Sequence, residues 1–343
     1  MGEYLLEVKD LRVEFDMPKG ITHILNNLSL NFEKESFLGL VGESGSGKTV
    51  FAYSLMGFAK QPGYIAGGEI LYNGQNILEM SEPELISKYR SKEVGLIASN
   101  ARAHLNPLWT VGKQLSTVYS VHTGASKKES NERALEMLEL VKINDPKRRF
   151  NSYPHELSGG MAQRIMIAMA LINNPKIIIA DDCTNGLDVT VAAQILDLIL
   201  DIMEKQKSSC IFITHDLGIV AQCCTHVAIM YSGQIIETAP TREFFKNCKH
   251  PYSRLLLDSL PERLNKSGLV KIPAEKLDYF KLPQGCLYYD SCPTRRPECE
   301  FNEPSLNMVS EGHYVKCDYP SQDGYTDEGK VKADADEREV TGN

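Results

Sequence analysis

Apolar and polar positions along this 343-residue chain follow two rhythms. Between residues 4 and 15, Leu6, Val8, Leu11, Val13 and Phe15 alternate with polar neighbours, as in a half-buried antiparallel strand. A second strand is predicted over Ile24 to Phe32, and a third where Gly67-Gly68-Glu69-Ile70-Leu71-Tyr72 meets the tight turn Asn73-Gly74. Short unbroken apolar runs behave differently. Phe37–Val41, Val94–Ile97, Ile177–Asp181, Cys210–Thr214 and Val227–Tyr231 read as strands buried on both faces. Helical spacing covers Val50 to Met56, Glu132 to Val141, Ile165 to Ile172 and Val189 to Met203. Pro240 to about Leu260 also reads as helical, punctuated by His250-Pro251-Tyr252. Alternation of buried strands with helices predicts an α/β fold with a parallel sheet covered on both sides. From Ser99 to about Pro154 the pattern turns to helices and polar loops. Residues 265–320, rich in Pro, Tyr and Cys, are expected to form a separate small unit, and the chain from Ser321 onward a disordered acidic tail. No internal repeat is visible.

Composition narrows this picture. With 42% hydrophobic and 24% charged residues the chain has material for an ordinary globular core. A net charge of −8 gives no bulk attraction to nucleic acid, so a nucleic-acid partner is not expected. No apolar run reaches the roughly 20 residues that span a bilayer. Met1-Gly2-Glu3-Tyr4 lacks a leader's basic and apolar regions, and Leu6 stands where an acylation signal has Ser or Thr. The expectation is a cytosolic chain with no transmembrane segment, whose membrane role, if any, comes through a partner. Five of the nine cysteines, Cys183, Cys210, Cys223, Cys224 and Cys248, are scattered among apolar residues as small core side chains. The other four, Cys286, Cys292, Cys299 and Cys317, lie in a segment too poor in apolar residues to build its own core, where a metal centre is a natural staple. Four thiols suit zinc or [4Fe–4S], and gaps of five, six and seventeen residues are longer than the clips of structural zinc.

The most specific chemistry is Gly42-Glu43-Ser44-Gly45-Ser46-Gly47-Lys48-Thr49, between a predicted strand and a predicted helix. Glycines let the backbone aim successive N–H groups at one concave spot, to which the helix N-terminus adds positive potential. Lys48 is placed for the outer phosphates and the Thr49 hydroxyl for Mg²⁺. A nucleoside triphosphate site follows. Phe15 is placed either to stack on the base or to end a strand in the core.

Further downstream come Leu157-Ser158-Gly159-Gly160-Met161, a strand ending in Asp181, the pair Leu187-Asp188, and Thr214-His215-Asp216. In this order and spacing the chain resembles an ABC transporter ATP-binding subunit. Leu105-Asn106-Pro107, Thr110-Val111-Gly112, His250-Pro251-Tyr252 and the C-terminal cysteines resemble the dipeptide/oligopeptide/nickel importer branch. The resemblance covers roughly residues 4–320. It implies a P-loop (RecA-like) ATPase core over residues 1–98 and 166–240, a helical signature subdomain over 99–165 and a Cys-rich extension over 241–320. It also implies two ATPs sandwiched between two subunits. Each phosphate loop then faces the other subunit's Ser158-Gly159-Gly160 equivalent. Asp181 would hold Mg²⁺ together with Thr49, and His215 would contact the γ-phosphate. The branch carries a four-cysteine motif that holds [4Fe–4S], which makes Cys286, Cys292, Cys299 and Cys317 its ligands, with zinc or two disulfides second and free thiols third.

Two positions depart from the family pattern. Asp182 stands where the family has the Glu that orients and deprotonates the attacking water. Ser99 stands at the glutamine that bridges Mg²⁺ and the helical region. One missing methylene withdraws the carboxylate by on the order of 1 Å, and misplacement on that scale can cost about a hundredfold in rate. Cys183-Thr184-Asn185-Gly186 alters the following loop as well. The expectation is a site that binds ATP and hydrolyses it slowly, and an intact signature that completes a competent site on a different ATP-binding subunit. Two transmembrane permease subunits, docked through residues roughly 99–156 at the cytoplasmic face, and an extracytoplasmic solute-binding protein would complete an importer of peptides or a related solute. A regulatory module gated by the metal centre and a soluble ABC ATPase outside transport are the alternatives.

Overall fold

The computed structural model describes residues 4–260 and 277–321. The expected tail beyond Ser321 and the reading of Gly2 lie outside them. The chain opens with β1 (Leu6–Met17), β2 (Gly20–Phe32) and β3 (Phe37–Val41), then α1 (Lys48–Leu55). β4 (Gly63–Tyr72), β5 (Gln75–Asn76), the short α2 (Glu82–Glu84) and β6 (Val94–Ile97) follow. A helical run comes next: α3 (Ala101–His104), α4 (Val111–Thr123), α5 (Lys127–Leu140), α6 (Pro146–Phe150) and α7 (Gly159–Leu171). After β7 (Ile177–Asp181) come α8 (Val189–Gln206), β8 (Ser209–Thr214), α9 (Leu217–Cys223), β9 (His226–Tyr231) and β10 (Gln234–Pro240). The chain closes with α10 (Thr241–Asn247), α11 (Pro251–Asp258), β11 (Asn307–Ser310) and β12 (His313–Val315).

Two sheets result. β2-β1-β4-β5 is antiparallel, and the larger sheet runs β11-β12-β10-β9-β3-β8-β7-β6. Its β9-β3-β8-β7-β6 part is parallel. Strand residues alternate between two cores, which explains the unbroken apolar runs. Leu40, Ile179 and Ile211 face the antiparallel sheet and α1, whereas Ile178, Phe212 and Ala180 face α7 and α8. Complete burial of one such large aliphatic side chain contributes about 1.5–3 kcal/mol. The helical run continues the second core through Val111, Leu115, Met137 and Leu138. Its α5 begins in a capping box, with Ser126 and Glu129 satisfying each other's backbone N–H groups. Among the described residues no helix is long and apolar enough to cross a membrane.

The C-terminal region holds the helices expected between Pro240 and Leu260, α10 and α11, with His250 between them. Before them residues 234–240 form β10, a strand that the pattern did not announce, paired to β9 across the left-handed turn Ser232-Gly233. The cysteine-rich part does not stand as a separate unit. β12 pairs with β10 and extends the main sheet, with Glu237 opposite Val315 and Thr238 opposite Tyr314.

Candidate functional site

The C-terminal ends of β3, β8 and β7 lie side by side and deliver the chemistry to one edge of the sheet. β3 runs into the phosphate loop, β8 ends beside His215, and β7 ends at Asp181. A cleft at strand C-termini is the ordinary ligand site of an open α/β sheet.

The loop is tightly braced. A Cβ on Gly42 would meet the Met230 carbonyl oxygen at 2.3 Å, so only glycine fits there. Gly233 N–H donates to the Ser46 carbonyl at 2.9 Å, and Glu43 N–H to the Tyr252 hydroxyl at 3.1 Å. Lys48 is folded back onto its own loop, its Nζ donating to Gly42 O at 2.7 Å and Glu43 O at 2.8 Å. Burial pushes the Lys48 pKa down, and the carboxylates of Asp182, Asp181 and Glu43 oppose that. Ser44 and Gly45 are exposed, Gly45 at φ +87°, while Gly47 takes φ +104° at the start of α1.

Thr49 Oγ1 donates to Asp181 Oδ1 at 3.2 Å, bringing together the two side chains expected to hold Mg²⁺. Burial raises the Asp181 pKa, opposed by the Thr49 hydrogen bond. A bound cation would remove that penalty. Asp182 sits next to it in the left-handed region, φ +42°, with its N–H held by Ile213 O at 2.9 Å. Its Oδ1 lies 3.3 Å from His215 Nδ1, so the two positions expected to act on the γ-phosphate and the water already touch. Phe15 is half-buried with its ring over Gly63, one edge packed on the core.

The signature segment lies elsewhere. Ser158 caps α7, its Oγ accepting from Met161 N–H at 3.3 Å, and Leu157 is buried. Gly159 and Gly160 face Leu187 and Val191, so this segment packs against the Leu187-Asp188 turn that opens α8. Asp188 caps that helix, its Oδ1 accepting from Val191 N–H at 3.0 Å. Ser99, half-buried at the end of β6, makes no bridge to the signature; Arg102 does, its guanidinium donating to the Leu157 carbonyl. Arg102 and Tyr252 were not singled out by motif for these contacts. Each is a long-range pair that local spacing does not encode.

The four C-terminal cysteines converge. Cys286, Cys292, Cys299 and Cys317 line one small cavity together with His250, Tyr288 and Tyr319. Gly285 permits this, because a Cβ there would lie 2.3 Å from the Cys299 carbonyl, which instead accepts from Cys286 N–H at 2.9 Å. Burial lifts the Cys286 and Cys317 thiols to about 11. Among the described residues no group of three or more His, Cys, Asp or Glu stands close enough to hold one metal ion. The remaining five cysteines are buried.

Comparison with known proteins agrees with this geometry. Residues 25–185 match the ABC transporter family, and residues 236–299 match the oligopeptide/dipeptide transporter C-terminal region. The chain is 43% identical over 316 residues to the oligopeptide transport ATP-binding protein OppD of Bacillus subtilis, covering 91% of this chain and 88% of that one. It is 38% identical over 320 residues to the dipeptide transport ATP-binding protein DppD of Escherichia coli K12, covering 93% and 98%. A probable peptide ABC transporter ATP-binding protein, y4tR of Sinorhizobium fredii, is 40% identical over 92% of this chain and 95% of its own. Among solved structures, the dimeric ATP-binding cassette MJ0796 in a post-hydrolysis state with ADP and Pi superposes with a TM-score of 0.62 at 27% identity, covering 69% of this chain and 99% of that one. A P-loop ATPase core carrying these motifs, with relatives of this similarity along nearly its whole length, places the chain in one family: it belongs to the ATPases that serve as ATP-binding subunits of ABC transporters, in the oligopeptide/dipeptide branch.

Proposed function

We propose that this chain couples ATP binding to the import of peptides through a separate permease, with unequal roles at the two nucleotide sites. Its own phosphate loop binds ATP·Mg²⁺ through Lys48, Thr49 and Asp181, with Phe15 against the base. Hydrolysis there is slow, because Asp182 is one methylene short and is held by His215. Its signature, Ser158-Gly159-Gly160, lies at the N-terminus of the 13-residue α7 and offers a hydroxyl and backbone N–H groups to a partner's γ-phosphate. Two copies of this chain would build two impaired sites, so the reading implies a second, different ATP-binding subunit. The single observation that carries it is the Asp182–His215 contact beside an intact signature.

The proposed division of labour keeps residues 1–98 and 166–240 as the ATPase core and 99–165 as the transmitting subdomain. Permease docking, at the cytoplasmic face of the membrane, would use the surface around Leu108, which is 82% exposed. Asp182→Asn in the assembled transporter tests the asymmetry: turnover should change less than twofold. Loss of most activity would make Asp182 the working base and end this reading.

The cavity lined by Cys286, Cys292, Cys299 and Cys317 is proposed as a [4Fe–4S] site. Four thiols opening onto one space support it. Such a centre, when bound, supplies positive charge that turns buried thiols into thiolates and staples a segment with little core of its own. Anaerobically purified chain should contain iron and sulfide and show a visible charge-transfer band. Zinc alone in that preparation would replace the cluster.

A further inference from the structure

We propose that Tyr252 is a positioning residue that ties the cysteine-lined cavity to the phosphate loop, so that nucleotide binding and the state of the cavity influence each other. Its hydroxyl accepts the Glu43 N–H at 3.1 Å. The carbonyl of that same residue is one of the two that hold Lys48 in its resting position. Lys48 must leave these carbonyls to reach a phosphate, so the Glu43 peptide sits where rest and binding part.

On the other side, the Tyr252 ring packs on Tyr231 and Tyr288, with centroids 4.7 and 5.5 Å away, and Tyr231 and Tyr288 are 5.1 Å apart. Tyr288 lines the cysteine cavity, and so does His250, two residues before Tyr252. His250 Nδ1 accepts Tyr252 N–H at 3.1 Å, and the His250 ring lies 5.7 Å from Tyr288. The segment is anchored from below: the buried Glu237 accepts from Lys249 N–H at 2.7 Å, His250 N–H at 2.9 Å and His313 Nε2 at 2.7 Å. A displacement of the cavity wall therefore has a short route to the phosphate loop through the Tyr252 hydroxyl. Packed aromatic rings transmit small shifts because interiors are close-packed. Coupling of this kind is reciprocal.

The test uses the full chain, wild type and Tyr252→Phe, which removes the hydroxyl and keeps the ring. Affinity for MgATP is measured by titration on chain treated with ferrous iron and sulfide and on metal-free chain. Tyr252→Phe should weaken MgATP binding about fivefold at unchanged melting temperature, and any difference between loaded and metal-free wild type should vanish in the variant. Equal affinity in wild type and variant overturns the proposal. The loaded arm alone rests on the [4Fe–4S] reading. If the chain takes up no iron, that reading falls and a second measurement decides. Iodoacetamide alkylation of Cys286, Cys292, Cys299 and Cys317, mapped by mass spectrometry, should change rate in the presence of MgATP in wild type and not in Tyr252→Phe. Rates in wild type that ignore MgATP overturn the coupling.

Discussion

Asp182 occupies a position where backbone and chemistry favour different side chains. At φ +42° an aspartate is tolerated better than a glutamate, since its short polar side chain can bond locally. A water-activating carboxylate, however, gains from the extra methylene. Asp182→Glu is therefore expected to raise phosphate release at this chain's own site by about tenfold or more, measured in the assembled transporter with the partner's base inactivated. Arg102 carries the opposite kind of information. It reaches the carbonyl next to Ser158 from α3, on the segment where Ser99 is too short to act. Arg102→Ala should leave MgATP affinity at the phosphate loop unchanged and lower turnover at the site completed by Ser158 about fivefold to tenfold. The loop, Asp181, His215 and the signature were readable because each is fixed by local backbone demands: a glycine turn, a strand end, a helix cap. Arg102 and Tyr252 were not, because their partners lie 55 and 209 residues away and no periodicity links them.

At the scale of elements, the parallel strands were legible for a simple reason. Both faces are buried, so Ile177-Ile178-Ile179 and Cys210-Ile211-Phe212-Ile213 carry no polar interruption. β10 was missed although the signal existed, a two-residue Ser-Gly turn between apolar runs, with φ +46° and +79°. β11 and β12 gave less to read: all four residues of β11 are exposed, and composition pointed to an irregular unit. β12 joins the sheet by backbone pairing with β10, and Glu237, a fully buried carboxylate in the middle of β10, adds a side-chain contact to His313 of β12. Glu237→Ala strands two buried donors and a half-buried one and should cost about 3 kcal/mol or more, read as a lower midpoint in urea or thermal unfolding. Glu237→Asp, which keeps the charge and shortens the reach, should cost less.

Taken whole, the molecule is a main sheet with a core on either side. Its nucleotide loop is braced by segments far downstream, from the Ser232-Gly233 turn to Tyr252. Deleting residues 261–343 should therefore do more than remove an appendage. It bares the edge of β10 and the Tyr231–Tyr252 surface that Tyr288 covers, and the shortened chain is expected to aggregate, as seen by size-exclusion chromatography. An independently folding extension would instead leave a monodisperse ATP-binding core.

The buried contact between Glu237 and His313 also bears on how the polypeptide is born. A ribosome delivers Glu237 well before His313, and until the later residue emerges the carboxylate lacks a donor that it holds in the finished protein. Until then Glu237 has the two donors that follow it closely in the chain, Lys249 N–H and His250 N–H, and the third arrives with the strand that extends the sheet.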